Sequence, residues 1–226
     1  MNKQLSTLLA GLLAMAVSAG AQAAELVEWN LYGLAGTESG QAATNFDANL
    51  DGMDLLRGAG LVGNTGANSL NAKGWNGEAG DYFSFGFVVA DGYSVDLSSL
   101  IIASKSSSTG PGTMGLFYSG NGFSTALATF VEDGSSYVNS VVDLSSLTGL
   151  TGAVEFRVAQ IGTTAANGGS TSGNGTFRIT RYYDAGNYIN PQLSGTVMAA
   201  VPEPETYALM LAGLGLVGFM ARRRQA

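Results

Sequence analysis

The sequence predicts an all-β protein, an antiparallel two-sheet β-sandwich of the jelly-roll type with a targeting segment at each end. Nine short segments are rich in β-branched and aromatic residues, and Gly, Asn, Asp and Ser residues typical of turns separate them. No long amphipathic helical pattern occurs between the two ends. Many short strands separated by turns are typical of sandwiches and jelly rolls.

The nine segments define the expected strands of the domain. They are Leu26–Tyr32, Tyr82–Val89, Leu100–Ser104, Thr113–Ser119, Ala126–Val131, Tyr137–Val142, Ala153–Gln160, Thr176–Tyr182 and Gln192–Met198. Apolar side chains at alternate positions, such as Phe83, Phe85 and Phe87, predict one face of a strand turned to the core. Asn49–Leu56 is expected instead to form one or two turns of helix.

The N-terminus has the features of a secretory signal peptide, expected over residues 1–23. Lys3 supplies the positive charge, Leu5 to Val17 form an apolar stretch, and Ala21 and Ala23 fit the small-x-small site of a signal peptidase. Mature protein is therefore expected to begin near Ala24.

The composition of residues 24–200, the expected ectodomain, restricts its function. Fifteen Asp and Glu residues against six Lys and Arg residues give a net charge of −9. An acidic domain repels phosphate backbones, so no nucleic acid partner is expected. The chain contains no Cys and no His, and it lacks a Gly-x-Ser-x-Gly motif. Without the commonest general base and an activated nucleophile, no enzymatic activity is expected.

The C-terminal segment, residues 201–226, has three parts in a fixed order. Pro202-Glu203-Pro204 precedes an apolar run over about 206–221, and Arg222, Arg223 and Arg224 follow it. A transmembrane helix over this run would span roughly 24 Å, somewhat short of a hydrocarbon core of about 30 Å, a difference that local thinning of the bilayer and snorkelling of the arginines can accommodate. The positive-inside rule places the arginines in the cytoplasm and the main domain outside the inner membrane.

These three parts resemble the PEP-CTERM sorting region of Gram-negative bacteria. The resemblance implies that an exosortase, a membrane-embedded transpeptidase-like enzyme, processes the tail, so that an inner-membrane-anchored precursor becomes a surface or matrix protein. It also implies association with exopolysaccharide, as in biofilm or floc formation. The alternative is an ordinary single-pass anchor with a Pro-containing linker.

The domain itself is similar to the jelly-roll ectodomains that often precede PEP-CTERM tails. The similarity covers Phe85–Phe123 and continues in two later segments, Val154–Arg157 and Gly175–Arg178. It implies a fold rather than an activity, because sandwiches of this kind serve as binding modules, adhesins and structural proteins alike.

One pattern in the domain suggests a metal. Asp47, Asn49 and Asp51, followed by Gly52, match the first half of a calcium-binding loop. The twelfth position of such a loop should be a bidentate acid, and here it is Gly58. The same residues fit ordinary Asx-turn chemistry, in which the side chain bonds a nearby backbone N–H group.

Aromatic residues suggest possible carbohydrate contacts, since a flat ring can cover the apolar face of a sugar. Trp75, in a Gly- and Asn-rich stretch, and the pair Tyr182 and Tyr183 are the candidates; Trp75 fits equally a plug at one end of the core. Trp29 alternates with apolar neighbours and is expected in the core.

The sequence therefore predicts an exported, non-catalytic surface or matrix protein. The alternative is a lectin-like carbohydrate-binding module that could depend on calcium. A polysaccharide-active hydrolase is the third hypothesis, and it would require two carboxylates across an open cleft.

Overall fold

The structure is a computed structural model in which residues 23–199, 211–214, 220 and 223 are described. Two antiparallel sheets, of eight and six strands, contribute their inner faces to one hydrophobic core. The predicted antiparallel β-sandwich is confirmed.

The described strands are numbered in chain order. The eight-stranded first sheet contains β1 (Ala24–Glu28), β3 (Asn45–Phe46), β5 (Val62–Gly63), β6 (Ser69–Lys73), β8 (Tyr93–Ser106), β11 (Val138–Asp143), β13 (Thr176–Thr180) and β16 (Gln192–Ala199). The six-stranded second sheet contains β2 (Gly40–Gln41), β4 (Leu50–Arg57), β7 (Tyr82–Val89), β9 (Thr113–Tyr118), β10 (Ala128–Val131) and β12 (Ala153–Gln160). A separate hairpin is formed by β14 (Tyr182–Asp184) and β15 (Asn187–Ile189).

Strand β8, with 14 residues, organises the first sheet. On one edge it pairs first with β16, up to Ile101, and then with β13, from Ala103 onward. On its other edge it pairs with β11. Strands β13 and β16 thus lie end to end along the same edge of β8. The chain that connects them leaves the sheet at the point where the two strands meet. That excursion is the β14–β15 hairpin.

The core is filled by the alternating residues of both sheets. Phe83, Phe85 and Phe87 are at most 2% exposed, which confirms the pattern read in the sequence. Trp29 is fully buried and meets Phe85 edge to face at 5.2 Å. Burial of each such aromatic side chain contributes roughly 2–3 kcal/mol, so these rings stabilise the contact between the sheets.

The helix expected over Asn49–Leu56 is wrong, because these residues lie mostly in strand β4. Strand β4 pairs with β7. Leu50 and Leu55 are both buried in the core, although regular alternation of side chains along a strand would place them on opposite faces of the sheet. A register shift between Met53 and Leu56 makes this possible. Pairing with a neighbouring strand outweighed the local sequence preference.

Both targeting segments fall largely outside the described residues. Ala21, Pro202, Glu203, Pro204, Arg222 and Arg224 lie there, as does most of the expected membrane helix. Ala23 is exposed, and residues 211–214 are helical. Within the described parts of the chain, no helix is long and apolar enough to cross a membrane. The signal peptide and the transmembrane helix stay predictions.

Candidate functional site

A cleft of about 300 Å³ opens on the outer face of the first sheet, beneath the β14–β15 hairpin. Its lining comes from the hairpin, from β11 and the residue before it, from the end of β13, and from the turn before β6. The lining residues are Ala67, Asn68, Tyr137, Asn139, Thr180, Arg181, Tyr183 and Tyr188. Its volume is at the lower end of the range for small-molecule sites.

Strand alternation decides which residues face this cleft. In β13, Ile179 is buried in the core, so its neighbour Thr180 points to the outer face. Thr180 and Asn139 both lie opposite Ala103 of β8, on its two edges. The register therefore brings together residues about 40 positions apart in the sequence.

The hairpin is tied down over the sheet at one point. The Asn139 side-chain amide donates a hydrogen bond of 2.7 Å to the Tyr183 carbonyl oxygen. At the tip, Ala185 and Gly186 both have positive φ, 45° and 94°, as a two-residue type I′ turn requires. This tight turn sends β15 directly back, so Tyr188 lies opposite Tyr183.

Three tyrosines present exposed rings to the cleft. Tyr137, Tyr183 and Tyr188 are 57%, 51% and 60% exposed. The rings of Tyr183 and Tyr188 are 4.9 Å apart and inclined by 50° to each other. Amphipathic rings of this kind offer an apolar face and a hydroxyl that donates or accepts hydrogen bonds, the combination that a sugar ring requires.

Arg181 supplies the charge in the cleft. Its guanidinium carbon lies 4.4 Å from the centre of the Tyr188 ring and 5.0 Å from that of Tyr32, which is 71% exposed. Its Nε atom is buried and has no hydrogen-bond acceptor among the described residues. Stacking orients the guanidinium, and its Nε–H donor is unsatisfied in this arrangement.

The floor of the cleft is rigid. Asn68 has a φ of 55°, unusual for a residue with a side chain, and its own hydrogen bonds hold it there. Its Oδ1 accepts from the Gly33 N–H at 2.8 Å, and its carbonyl oxygen accepts from the Thr180 hydroxyl at 2.9 Å. The floor is therefore positioned before any ligand arrives.

The predicted carbohydrate contacts fare differently. Tyr183 lines the cleft, while Tyr182 is half-buried and lies beside it in β14. Trp75 is 1% exposed, meets Phe177 edge to face at 5.5 Å and donates its indole N–H to the Ala72 carbonyl at 3.0 Å. The structure therefore corrects the glycan prediction for Trp75 and places the residue in the core.

Tyr137, Tyr188 and Arg181 were missed as site residues. Tyr137 and Arg181 lie within two expected strands, and Tyr188 lies outside any expected strand. Five positions separate Tyr183 from Tyr188, a spacing that places two residues opposite each other around a two-residue hairpin turn. A search for short hairpins could have detected that spacing.

The proposed calcium half-loop adopts a turn. Asp47 Oδ1 accepts hydrogen bonds from the backbone N–H and the side-chain amide of Asn49, at 2.8 and 3.1 Å. Asp51 is exposed in β4. Among the described residues, no group of three Asp, Glu, His or Cys side chains could hold a metal ion. Calcium binding stays an untested prediction.

Pairs of carboxyl groups in the described residues line other pockets, Glu78 with Asp81 in one and Asp54 with Glu155 in another. The cleft lining contains no Asp or Glu. Glu132 is 3% exposed, and its two oxygens accept from the Ser104 hydroxyl at 2.5 Å and the Ser106 N–H at 2.9 Å. Burial raises the pKa of this carboxyl, while these hydrogen bonds lower it in part. It is a structural group and does not line the cleft.

The geometry defines a β-sandwich with an aromatic-lined cleft, and comparison with known proteins identifies its tail. Residues 200–224 match the PEP-CTERM protein-sorting motif, which confirms the resemblance seen in the sequence. The motif marks an exported protein that is anchored at a membrane and then processed by an exosortase.

Comparison of the fold gave two similar solved structures, both variants of family 29 carbohydrate-binding modules. One is 13% identical, with 79% of this chain and 94% of the module covered and a TM-score of 0.39. The other is 14% identical, with 77% and 92% covered and a TM-score of 0.38. No curated protein matches the chain.

Proposed function

We propose that this protein is a non-catalytic component of the cell surface or extracellular matrix of a Gram-negative bacterium, where it binds exopolysaccharide. The binding site is the tyrosine cleft on the outer face of the first sheet. This proposal joins the matrix role to the lectin-like alternative, because a binding cleft provides the means of association.

The observation that supports it best is the arrangement of exposed rings around polar groups. Tyr183 and Tyr188 offer inclined ring faces 4.9 Å apart, and Tyr137 also lines the cleft. Asn139 and Arg181 add an amide and a guanidinium at the same place. Sugars combine apolar ring faces with hydroxyl edges, so such a mixture suits them.

The chemistry of the site favours binding over catalysis. Acid–base cleavage of a glycosidic bond requires two positioned carboxyl groups, and those described in this chain lie outside the cleft lining. A protein that retains polysaccharide without cleaving it fits a matrix component delivered by a sorting tail.

Affinity electrophoresis through polysaccharide gels tests this function. Mature protein from a secreting host is compared with Tyr183→Ala and Tyr188→Ala variants, using exopolysaccharide from the same bacterium. Each truncation is expected to weaken retardation by roughly tenfold, because a central aromatic contact contributes more than about 1 kcal/mol. Addition of EDTA tests the calcium-dependent alternative; because Asp47 lies outside the cleft lining, binding at the cleft itself is expected to be equal with and without EDTA.

A matched control is Tyr82→Ala, which removes a tyrosine from the outer face of the second sheet, where Tyr82 stacks on Arg157. It is expected to bind like wild type. Equal retardation of the wild type and both cleft variants would show that the cleft is not the binding site.

A further inference from the structure

The basic residues of the domain are unevenly placed. Residues 24–200 contain only six Lys and Arg residues, and three of them, Lys105, Arg178 and Arg181, lie together around the cleft. Lys105 and Arg178 alternate with core residues of β8 and β13, so both point to the outer face. The Lys105 ammonium lies 4.7 Å from the centre of the Tyr137 ring, itself part of the cleft. A basic patch therefore adjoins the cleft on an otherwise acidic domain.

The pairing of β13 with β8 places two positive charges of this patch next to each other, which destabilises the sheet in the absence of a ligand. Arg178 and Lys105 are direct cross-strand partners in the antiparallel β13–β8 pair. Like charges directly opposite one another on a sheet destabilise it. Within residues 23–199, Glu155 and Arg157 form an ion pair with a nitrogen–oxygen distance under 4.0 Å. Neither Arg178 nor Lys105 forms such a pair there. An anionic ligand would neutralise this repulsion.

Arg181 has the geometry to receive an anion. Tyr188 and Tyr32 orient its guanidinium, and its buried Nε has no acceptor among the described residues. A buried donor without a partner is costly, and a guanidinium pairs best with a planar carboxylate through two parallel hydrogen bonds. The positive charge and the fork geometry of the guanidinium therefore favour a carboxylate over a neutral hydroxyl.

Strand geometry links the three charges into a short track. Arg178 precedes Thr180 of the cleft floor by two residues, about 7 Å along β13, and Lys105 lies beside it. Arg181 follows Thr180 directly. A chain lying in the cleft would pass from the tyrosines to these charges within a few sugar units.

We propose that the ligand of the cleft is an acidic polysaccharide that carries carboxylate groups, such as a polyuronate. Its sugar faces lie on Tyr183 and Tyr188, one carboxylate pairs with Arg181, and further carboxylates lie over Arg178 and Lys105. This inference rests on the proposed function, of which it specifies the ligand class.

Alginate, polygalacturonate and hyaluronate are the probes, each compared with its carboxyl-reduced form, in which hydroxymethyl replaces carboxylate. Neutral dextran and cellulose oligosaccharides complete the panel. We expect the mature protein to bind at least one acidic polymer about tenfold or more tightly than its reduced form. Arg181→Gln and the double variant Arg178→Gln, Lys105→Gln should each lose roughly tenfold on the acidic polymer.

Arg157→Gln is the matched control, since it removes one positive charge from the outer face of the second sheet. It should bind within about twofold of wild type, and increasing salt should weaken wild type more than Arg181→Gln. The unfolding midpoint of the double variant should not fall, because the variant removes a like-charge pair, so its loss of binding would not reflect misfolding.

Three results would overturn the inference, and they separate it from the proposed function. Equal binding of the acidic and reduced forms would leave a glycan-binding cleft without a preference for acids. An equal loss in Arg157→Gln would indicate unspecific attraction to charge. If the protein bound neither a polysaccharide of the panel nor the exopolysaccharide of its own bacterium, the proposed function would be overturned as well.

Discussion

Three arginines of the domain have different surroundings, and their surroundings decide what each can do. Arg57 donates from Nη1 to the Glu38 carbonyl oxygen at 2.6 Å, which stabilises a loop. Arg157 pairs with Glu155 at 2.7 Å on the other sheet. Arg181 stacks between two tyrosines and keeps a buried N–H without an acceptor in the described residues. Of the three, Arg181 is the one that lines the cleft.

Glu132 shows how burial of a single carboxyl group affects the stability of the fold. Burial, chiefly, raises its pKa above the ordinary value of 4.5, so folding favours the protonated form. Its contribution to stability is then largest below pH 4.5 and falls as the pH rises through the raised pKa of the folded state. The two serine hydrogen bonds reduce this loss without removing it.

We therefore expect the free energies of unfolding of wild type and Glu132→Gln to diverge with pH. Glutamine does not titrate, so the difference should move in favour of the variant as the pH rises from 4.5 through the raised pKa of the folded state. Urea unfolding at several pH values measures it, with Glu78→Gln on the surface as a control for loss of charge. Parallel pH profiles for wild type and Glu132→Gln would contradict the assignment.

The β14–β15 hairpin is the element on which the cleft depends. It leaves the first sheet where β13 ends and β16 begins, and it brings Tyr188 opposite Tyr183. Its turn places Ala185 at a φ of 45°, where a Cβ atom crowds the backbone. The element is thus folded at some local cost, which its contacts with Asn139 offset.

Ala185→Gly should relieve this strain. Glycine adopts a positive φ freely, so we expect the variant to gain up to about 1 kcal/mol in stability and to keep or improve polysaccharide affinity. Urea unfolding and affinity electrophoresis measure the two effects. Ala90→Gly, in a loop outside the positive-φ region, should instead lose roughly 0.5–1 kcal/mol. A loss of stability in Ala185→Gly as large as that in Ala90→Gly would contradict the turn assignment.

The whole molecule combines a β-sandwich with a C-terminal sorting motif. Residues from both sheets fill one core, and the cleft lies on an outer face, away from that core. The PEP-CTERM motif at residues 200–224 follows directly after β16. Removal of the tail would leave every described strand of the sandwich intact, so processing and binding are physically separable.

Intact-mass measurement of the protein from membrane, surface and medium fractions of native cells tests that processing. We expect the surface form to end near Pro202 and to begin near Ala24. A full-length C-terminus confined to the inner membrane would indicate a plain anchor, and the matrix role would lose its main support. Arg222 to Arg224 would then remain on the cytoplasmic side.

Several features of this protein could be read from the sequence because they depend on local patterns. Alternation in Phe83–Phe87 predicted a strand face, since the side-chain period of a strand is two. The Pro202-Glu203-Pro204 motif, the apolar run and the arginines predicted the sorting tail by their order alone. Absence of His and Cys, and the acidic charge, restricted the possible functions without any coordinates.

Only the tertiary structure decided the rest. Strand β4 replaced an expected helix because its partner β7 outweighed local preference, and Trp75 entered the core rather than a binding surface. The cleft required Asn139, Thr180 and Tyr188 to meet through the register of β8 with its two neighbours and through one tight turn. Contacts between residues tens of positions apart depend on which strands pair, and local sequence patterns do not determine that pairing.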